Sequence, residues 1–349
     1  MSKKIKILRI LNRLNLGGPT YNVSYLTKFI SPKYETLLIS GKKLKTESSS
    51  RFIVKNIGVK IKTINDFKRE VSLLNDFKVL VKLIKIIKKY KPKIIHTHAS
   101  KAGFLGRIAG IFCGTKIMFH TYHGHVFHSY FGFFKTKVYI LIEKLLSLKT
   151  NKLIVLSKNQ KKELCEGFKI SKSKKFKIIN LGFDIKRFHI SKSYSNKLIK
   201  KLKIGDHKTI CAVGRLTQIK NIKYLLDITS ILINEKKIKV KLIIVGDGDQ
   251  KNELFTYSKK LKLNTIKLKN SKIDKNYDVI FTSWIKKIEH VYPSIDLVCN
   301  TSLNEGTPLS LLEAMASKTP VISSDVGGVK DIIKNAITVI VLISKIKIR

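Results

Sequence analysis

Short runs of β-branched residues, each followed by a turn and a helix-length segment, recur along the chain, and this alternation decides the fold class. In the first half "KIKILRI" (4–10), "ETLLIS" (35–40), "KIIHTH" (93–98), "KIMFHTY" (116–122) and "KLIVLS" (152–157) read as buried strands. Helix-length patterns separate several of them, most clearly over 69–90 and 135–149. Strands apolar on both faces need a layer of helices on each side, which implies parallel sheets. The order then restarts with "KTICAVGRL" (208–216), "VKLIIVGDGD" (240–249), "IDLVCNTS" (295–302) and "TPVISSD" (319–325). The expected architecture is α/β: two Rossmann-like, doubly wound domains facing a central cleft. They are placed at 1–185 and 207–349, with a Lys- and Ser-rich linker at 186–206. A chain of 349 residues is long enough for two cores.

Ligands of doubly wound sheets bind beyond the carboxyl ends of the strands, so residues following strands carry the most information. Gly17 and Gly18 sit between the first strand and a helix. Glycine permits close backbone approach, and a helix N-terminus offers N–H groups to phosphate; a plain tight turn accounts for the same residues. Six of the nine histidines are His96, His98, His120, His123, His125 and His128. No nearby carboxylate or cysteine completes a metal set, so they read as hydrogen-bonding groups at strand ends. Gly124 follows His123 and points to a turn that exposes that ring. Arg215 ends a strand and Lys220 starts the next helix; a guanidinium and an ammonium there suit a diphosphate.

In "NEGTPLSLLEAM", Thr307 is the expected N-cap and Pro308 the first residue of a helix running to about Lys318. Glu305 precedes that helix and Glu313 lies on it. Both could face one cleft and accept hydroxyl hydrogen bonds. Alternatively, Glu305 complements the helix dipole and Glu313 is a solvated helix residue.

The formal charge is +47, yet only eight of the 70 basic residues are arginine. The lysines are spread along the chain among Ile and Asn, a pattern of compositional drift. No stacking aromatic set or recognition helix supports a specific nucleic-acid partner. Cys113, Cys165, Cys211 and Cys299 are scattered, which fits a reducing cytoplasm. The first residues read as a strand, with no cleavage site of a signal peptide, and no apolar run is long enough to span a bilayer.

Taken together, these residues resemble the retaining nucleotide-sugar glycosyltransferases of family 4, the group 1 proteins with the GT-B fold. The resemblance runs from about Ile5 to Ile333. Its most specific element is "EGTPLSLLE" (305–313) followed by "AMASKTPVISSDVGG" (314–328). "VGRLTQIKN" (213–221) and "NLGFDIKRF" (180–188) match further second-domain and interdomain segments. "HTHASKAGFLGRIAG" (96–110) and "TYHGHVFHSYF" (121–131) are similar to a bacterial subgroup that builds capsule, exopolysaccharide or O-antigen.

The resemblance implies that Gly17 and Gly18 approach the donor phosphate and that His123 hydrogen-bonds the transferring sugar. Arg215 and Lys220 are implied to hold the diphosphate. Glu305 would contact sugar hydroxyls, and Glu313 the ribose. The turn Gly306–Leu309 would help with the diphosphate: Gly306, Thr307 and Leu309 through backbone N–H groups, and Pro308, which has none, by fixing the turn. Implied chemistry is metal-independent transfer with retention, with no cofactor, from a UDP-sugar to a lipid-linked saccharide at the inner face of the cytoplasmic membrane. The alternatives are a truncated pseudoenzyme, a nucleotide-sugar 2-epimerase of the same fold, or a basic membrane- or nucleic-acid-binding protein.

The family's Asn-Gly-x-Thr-Gly is replaced here by "NAITVIVLISKIKIR" (335–349), with Ala336 and Val339 at glycine positions. A truncated product, with apolar surface exposed on the first domain, is expected. Ser283 also stands where glycine is commoner. Segments 77–91 and 130–146 mix apolar and basic residues; each is read as a core helix or as a contact with an anionic bilayer.

Overall fold

The computed structural model describes residues 4–14, 17–42, 49–68, 70–124, 127, 132–189, 202–268, 276–333 and 341–342. His125, His128, Ala336 and Val339 lie outside them. The chain divides into two compact units, Met1–Phe183 and Asp184–Arg349.

The first unit runs β1 (Ile5–Arg13), α1 (Gly18–Lys28), β2 (Tyr34–Gly41), α2 (Arg51–Ile57), β3 (Ile61–Ile64), α3 (Leu73–Tyr90) and β4 (Ile94–His98). It continues with α4 (Ser100–Phe112), β5 (Ile117–Thr121), α5 (Phe133–Lys149), β6 (Lys152–Val155), α6 (Lys158–Lys162) and β7 (Phe176–Ile178). Its seven strands are all parallel, in the order β3-β2-β1-β4-β5-β6-β7. The order reverses between β1 and β4, the switch point at which loops on the two sides part and leave a crevice.

Helix α3 is a core helix, because Val79, Leu83 and Ile87 recur every four residues and are buried against the sheet with Leu8, Ile39 and Ile95. Helix α4 packs closest. A Cβ on Gly106 would lie 2.7 Å from Thr97 Cγ2, and one on Gly110 2.7 Å from Met118 Sδ. Side chains at those positions would push the helix off the sheet. Helix α5 buries Glu143, Leu146 and Ser147 and leaves its other face in solvent.

The second unit runs β8 (Lys208–Val213), α7 (Ile222–Ser230), β9 (Val240–Val245), α8 (Lys251–Lys260), β10 (Thr265–Lys267) and β11 (Val279–Ser283). It ends with β12 (Leu297–Asn300), α9 (Leu309–Ala316), β13 (Val321–Ser324) and β14 (Val341–Leu342). These seven strands are also parallel, in the order β10-β11-β9-β8-β12-β13-β14, so the switch point lies between β8 and β12. The turn Ile185–Phe188 belongs here rather than to a linker starting at 186. Phe188 is buried against Tyr292, and Arg187 Nη2 donates to Glu289 Oε2 at 2.6 Å. Leu202 and Ile204, at the far end of the 186–206 linker expected from sequence, are buried as well. Among the described residues no helix is long and apolar enough to cross a membrane.

Candidate active site

In each unit several of the described residues singled out by sequence lie at the loops beside the switch point. In the first, Gly17 caps α1 with φ of 151°, a conformation that side chains rarely adopt, and a Cβ on Gly18 would meet nothing within 4 Å. The backbone at the start of α1 is therefore open to close approach.

Strand β4 places His96 and His98 on one face, and their ring centroids are 4.2 Å apart. His123 follows β5, and its Nε2 lies 3.0 Å from His98 Nδ1. His96 bonds Thr121 Oγ1 at 2.8 Å, and His120 bonds Thr97 Oγ1 at 2.9 Å. Burial holds His96, His98 and His120 well below the ordinary 6.5 and pushes His123 down to about 4. The rings are thus neutral at pH 7, and neighbouring cations, Arg9 beside His96 and Arg107 beside His120, reinforce this. His120 is a packing residue: a Cβ on Gly103 would come within 2.5 Å of its ring. Only His123 of the described histidines here is half-exposed. Among the described residues no cluster of His, Cys, Asp and Glu has the arrangement of a metal site.

Behind this edge lies a group the sequence reading missed. Arg107 Nη2 donates to both Glu143 oxygens, at 2.7 and 2.8 Å, and its Nε donates to the Gly103 carbonyl at 2.8 Å. Tyr122 Oη donates to Glu143 at 2.7 Å. All three are buried. The ion pair ties α4 to α5, and Tyr122 links it to the segment after β5 that carries His123. One signal existed: Arg107 is one of only eight arginines in a lysine-rich chain.

In the second unit Arg215 leaves β8 half-buried, and Lys220 closes the short turn Gln218–Lys220 before α7. Lys220 forms an ion pair with Glu305, from the loop after β12. Ser302 Oγ lies 2.6 Å from the same Glu305 carboxylate. Hydrogen bonds join the two loops: Leu303 N–H donates to the Ile219 carbonyl at 2.8 Å, and the Thr301 hydroxyl to the Asn221 carbonyl at 3.0 Å. The Glu305 carbonyl accepts from Gly328 N–H at 3.0 Å.

Three details differ from the sequence reading. Helix α9 starts at Leu309, with Pro308 as its N-cap in an extended conformation, and stops at Ala316. Thr307 does not cap it, and its Oγ1 is buried with no protein partner. Glu313 is not a solvated helix residue: it is buried and accepts from Tyr292 Oη at 2.8 Å. Burial pushes its carboxyl up to about 7, with the Tyr292 hydrogen bond acting in the opposite direction. Gly306 and Leu309 flank this start, half-exposed, and the first N–H groups of α9 have no intrahelical partners.

Two parallel, doubly wound sheets with polar loops at their switch points have the GT-B architecture. The Anabaena protein HepE in complex with UDP-glucose superposes on 97% of this chain and 85% of its own, with a TM-score of 0.78 at 19% identity. Residues 36–187 match "Glycosyltransferase Family 4" and residues 207–345 match "Glycosyl transferases group 1", and the chain belongs to this glycosyltransferase family. Among its relatives is the Escherichia coli UDP-Gal:alpha-D-GlcNAc-diphosphoundecaprenol alpha-1,3-galactosyltransferase, 33% identical over 76% of this chain. The Staphylococcus aureus capsular polysaccharide biosynthesis glycosyltransferase CapM is 26% identical over 78%. The chain spans about two thirds of each relative's length, 66% and 68% respectively.

Proposed function

We propose that this protein transfers a hexosyl or N-acetylhexosaminyl group from a UDP-sugar to a lipid-linked saccharide, with retention and without a metal ion. The step belongs to cell-surface polysaccharide assembly, at the inner face of the cytoplasmic membrane. Galactose from UDP-galactose, with a polyprenyl-diphosphate-linked GlcNAc as acceptor, is the first pair to test, since the E. coli relative is named for it.

The observation that carries this reading is the Lys220–Glu305 pair at the switch point, beside Arg215 and the start of α9. A bound diphosphate competes with Glu305 for Lys220. The released carboxylate then accepts hydroxyl hydrogen bonds from the donor sugar, which an ammonium could not do. As the bond from the sugar anomeric carbon to phosphate oxygen breaks, charge grows on the departing diphosphate. Arg215, Lys220 and the N–H groups around residues 306–309 stabilise it. The acceptor hydroxyl adds to the same face of the anomeric carbon and its proton passes to the leaving phosphate, so no protein nucleophile is needed.

His123 supplies a hydrogen-bond donor to the sugar. His98 Nε2 is buried without a partner, and a buried N–H without an acceptor is rarer than an unfilled lone pair. The hydrogen shared by the two rings therefore sits on His98 Nδ1, leaving His123 with its hydrogen on Nδ1. Gly17 and Gly18 offer backbone to the donor phosphate, and Glu313 the ribose contact.

Incubation with a panel of UDP- and GDP-sugars and a polyprenyl-diphosphate saccharide, with and without EDTA, tests the proposal. Expected is EDTA-insensitive product with unchanged anomeric configuration, lost in Glu305→Ala and Arg215→Ala. An absence of nucleotide binding would overturn it.

A further inference from the structure

Tyr292 is fully buried in the short turn Tyr292–Ser294, between β11 and β12. A tyrosine hydroxyl taken that far from water needs a partner. Its Oη donates to Oε2 of Glu313, on α9, at 2.8 Å. The ring and the backbone of Tyr292 are themselves held. Phe188 packs on the ring, with centroids 6.1 Å apart. Thr319 Oγ1, from the segment between α9 and β13, donates to the Tyr292 carbonyl at 2.8 Å. The hydroxyl therefore sits at a fixed point in the core of the second unit.

The carboxylate it meets is used on one side only. Glu313 is 6% exposed, and among the described residues its second oxygen, Oε1, accepts no hydrogen bond and is not sealed from solvent. A glutamate on a helix has three side-chain torsions, and an unanchored carboxylate loses their freedom when it binds a ligand. One oxygen fixed by a rigid donor leaves the other aimed and free to accept. For joining the turn to the helix an apolar pair would serve better, since burying a carboxylate costs free energy.

We propose that Tyr292 is a positioning residue for the nucleotide donor: by holding Glu313 Oε2 it presents Oε1 to a ribose hydroxyl. The proposal rests on the ribose contact given to Glu313 above and adds the group that sets the geometry of that contact. Tyr292 acts through Glu313 and does not touch the nucleotide.

The test is calorimetric titration of the full chain with UDP and with the UDP analogue that lacks both ribose hydroxyls. The wild type should bind UDP about tenfold or more tightly than the analogue, the worth of a hydrogen bond to a charged group. Glu313→Ala should abolish that preference. Tyr292→Phe keeps the ring and removes the donor. It should weaken UDP about fivefold or more and change the analogue by less than about twofold. General damage to packing would weaken both ligands alike. Thr319→Val frees the Tyr292 carbonyl, keeps the hydroxyl and should cost part of the preference; it decides the question if Tyr292→Phe melts below the assay temperature. Full preference for UDP in the deciding variant, or equal weakening of both ligands, would overturn the positioning role while loss of preference in Glu313→Ala keeps the ribose contact standing. A wild type that binds both ligands equally would overturn the ribose contact, and the positioning role with it.

Discussion

Gly327 holds the Glu305 loop in place, and replacing it with alanine should cost both stability and activity. Its φ is 53°, in the left-handed region. An added Cβ would lie 1.9 Å from the Glu305 carbonyl oxygen, where real Cβ atoms essentially never come within 3.0 Å. The backbone conformation alone costs roughly 1–2 kcal/mol. The clash is with backbone, so the loop must retreat by about an ångström, losing the Gly328–Glu305 hydrogen bond at roughly 0.5–1.5 kcal/mol. Gly205→Ala is the control: it has φ of 64° in the same unit, but its added Cβ would meet only His207, at 3.9 Å. Gly327→Ala should therefore unfold about 0.5–1.5 kcal/mol more easily than the control. Urea titration followed by Trp284, the chain's one tryptophan, reads the second unit directly. An ångström's displacement of Glu305 should also lower transfer about 100-fold, a cost typical of misplacement on that scale. If Gly327→Ala matches Gly205→Ala in stability and retains full activity, Gly327 does not position Glu305.

Glu143→Gln leaves Arg107 buried without its countercharge and should destabilise the first unit by about 3–5 kcal/mol, measured by calorimetry. A cost below 1 kcal/mol would mean that water reaches the pair. The histidines and Glu313 should give the two units opposite pH dependence. Burial depresses the folded values of His96, His98, His120 and His123, so their stabilisation is complete above pH 6.5 and lost as pH falls toward 4. Each such ring contributes a slope of about 1.4 kcal/mol per pH unit in that window. The folded value of Glu313 is raised from 4.5 to about 7, so its contribution is present below 4.5 and lost as pH rises through 7. Denaturant midpoints across pH 4–8, with Trp284 reporting the second unit and circular dichroism the whole chain, check both signs. Ser283 has φ of 58° and accepts a hydrogen bond from Lys251. Relief of left-handed strain should make Ser283→Gly more stable by about 0.5–1 kcal/mol net; destabilisation would show that the Lys251 contact outweighs the strain.

The longer strands and helices were legible because their signals are local. "KIKILRI" and "VKLIIV" are β-branched runs bounded by turns, and their positions in β1 and β9 follow. The short strands β3, β7 and β10 were not. "IKTI", "FKI" and "TIK" each carry a lysine in three or four residues, too little pattern to separate from loop. Thr307 and Pro308 carried a standard cap signal, yet packing drew Thr307 inward and moved the helix start by one residue. Ser283 stands where glycine is commoner in the family pattern, and only the structure shows its left-handed backbone, φ 58°.

From sequence alone came the two parallel α/β domains and the positions of Gly17, His123, Arg215, Lys220 and Glu305 after strands. Both follow from residue order, since a strand's end is fixed by its neighbours along the chain and chemistry in doubly wound sheets gathers there. Tertiary structure decided which of those residues meet. Lys220 and Glu305 are 85 residues apart, Arg107 and Glu143 36 apart, and Tyr292 and Glu313 21 apart. Each pair is joined across the crossovers that return the chain to the same sheet edge or helix layer, and no local pattern encodes how far a crossover carries it. Which face of α5 turns inward depended on the same information: it is the face carrying Glu143, paired with the buried Arg107 of α4.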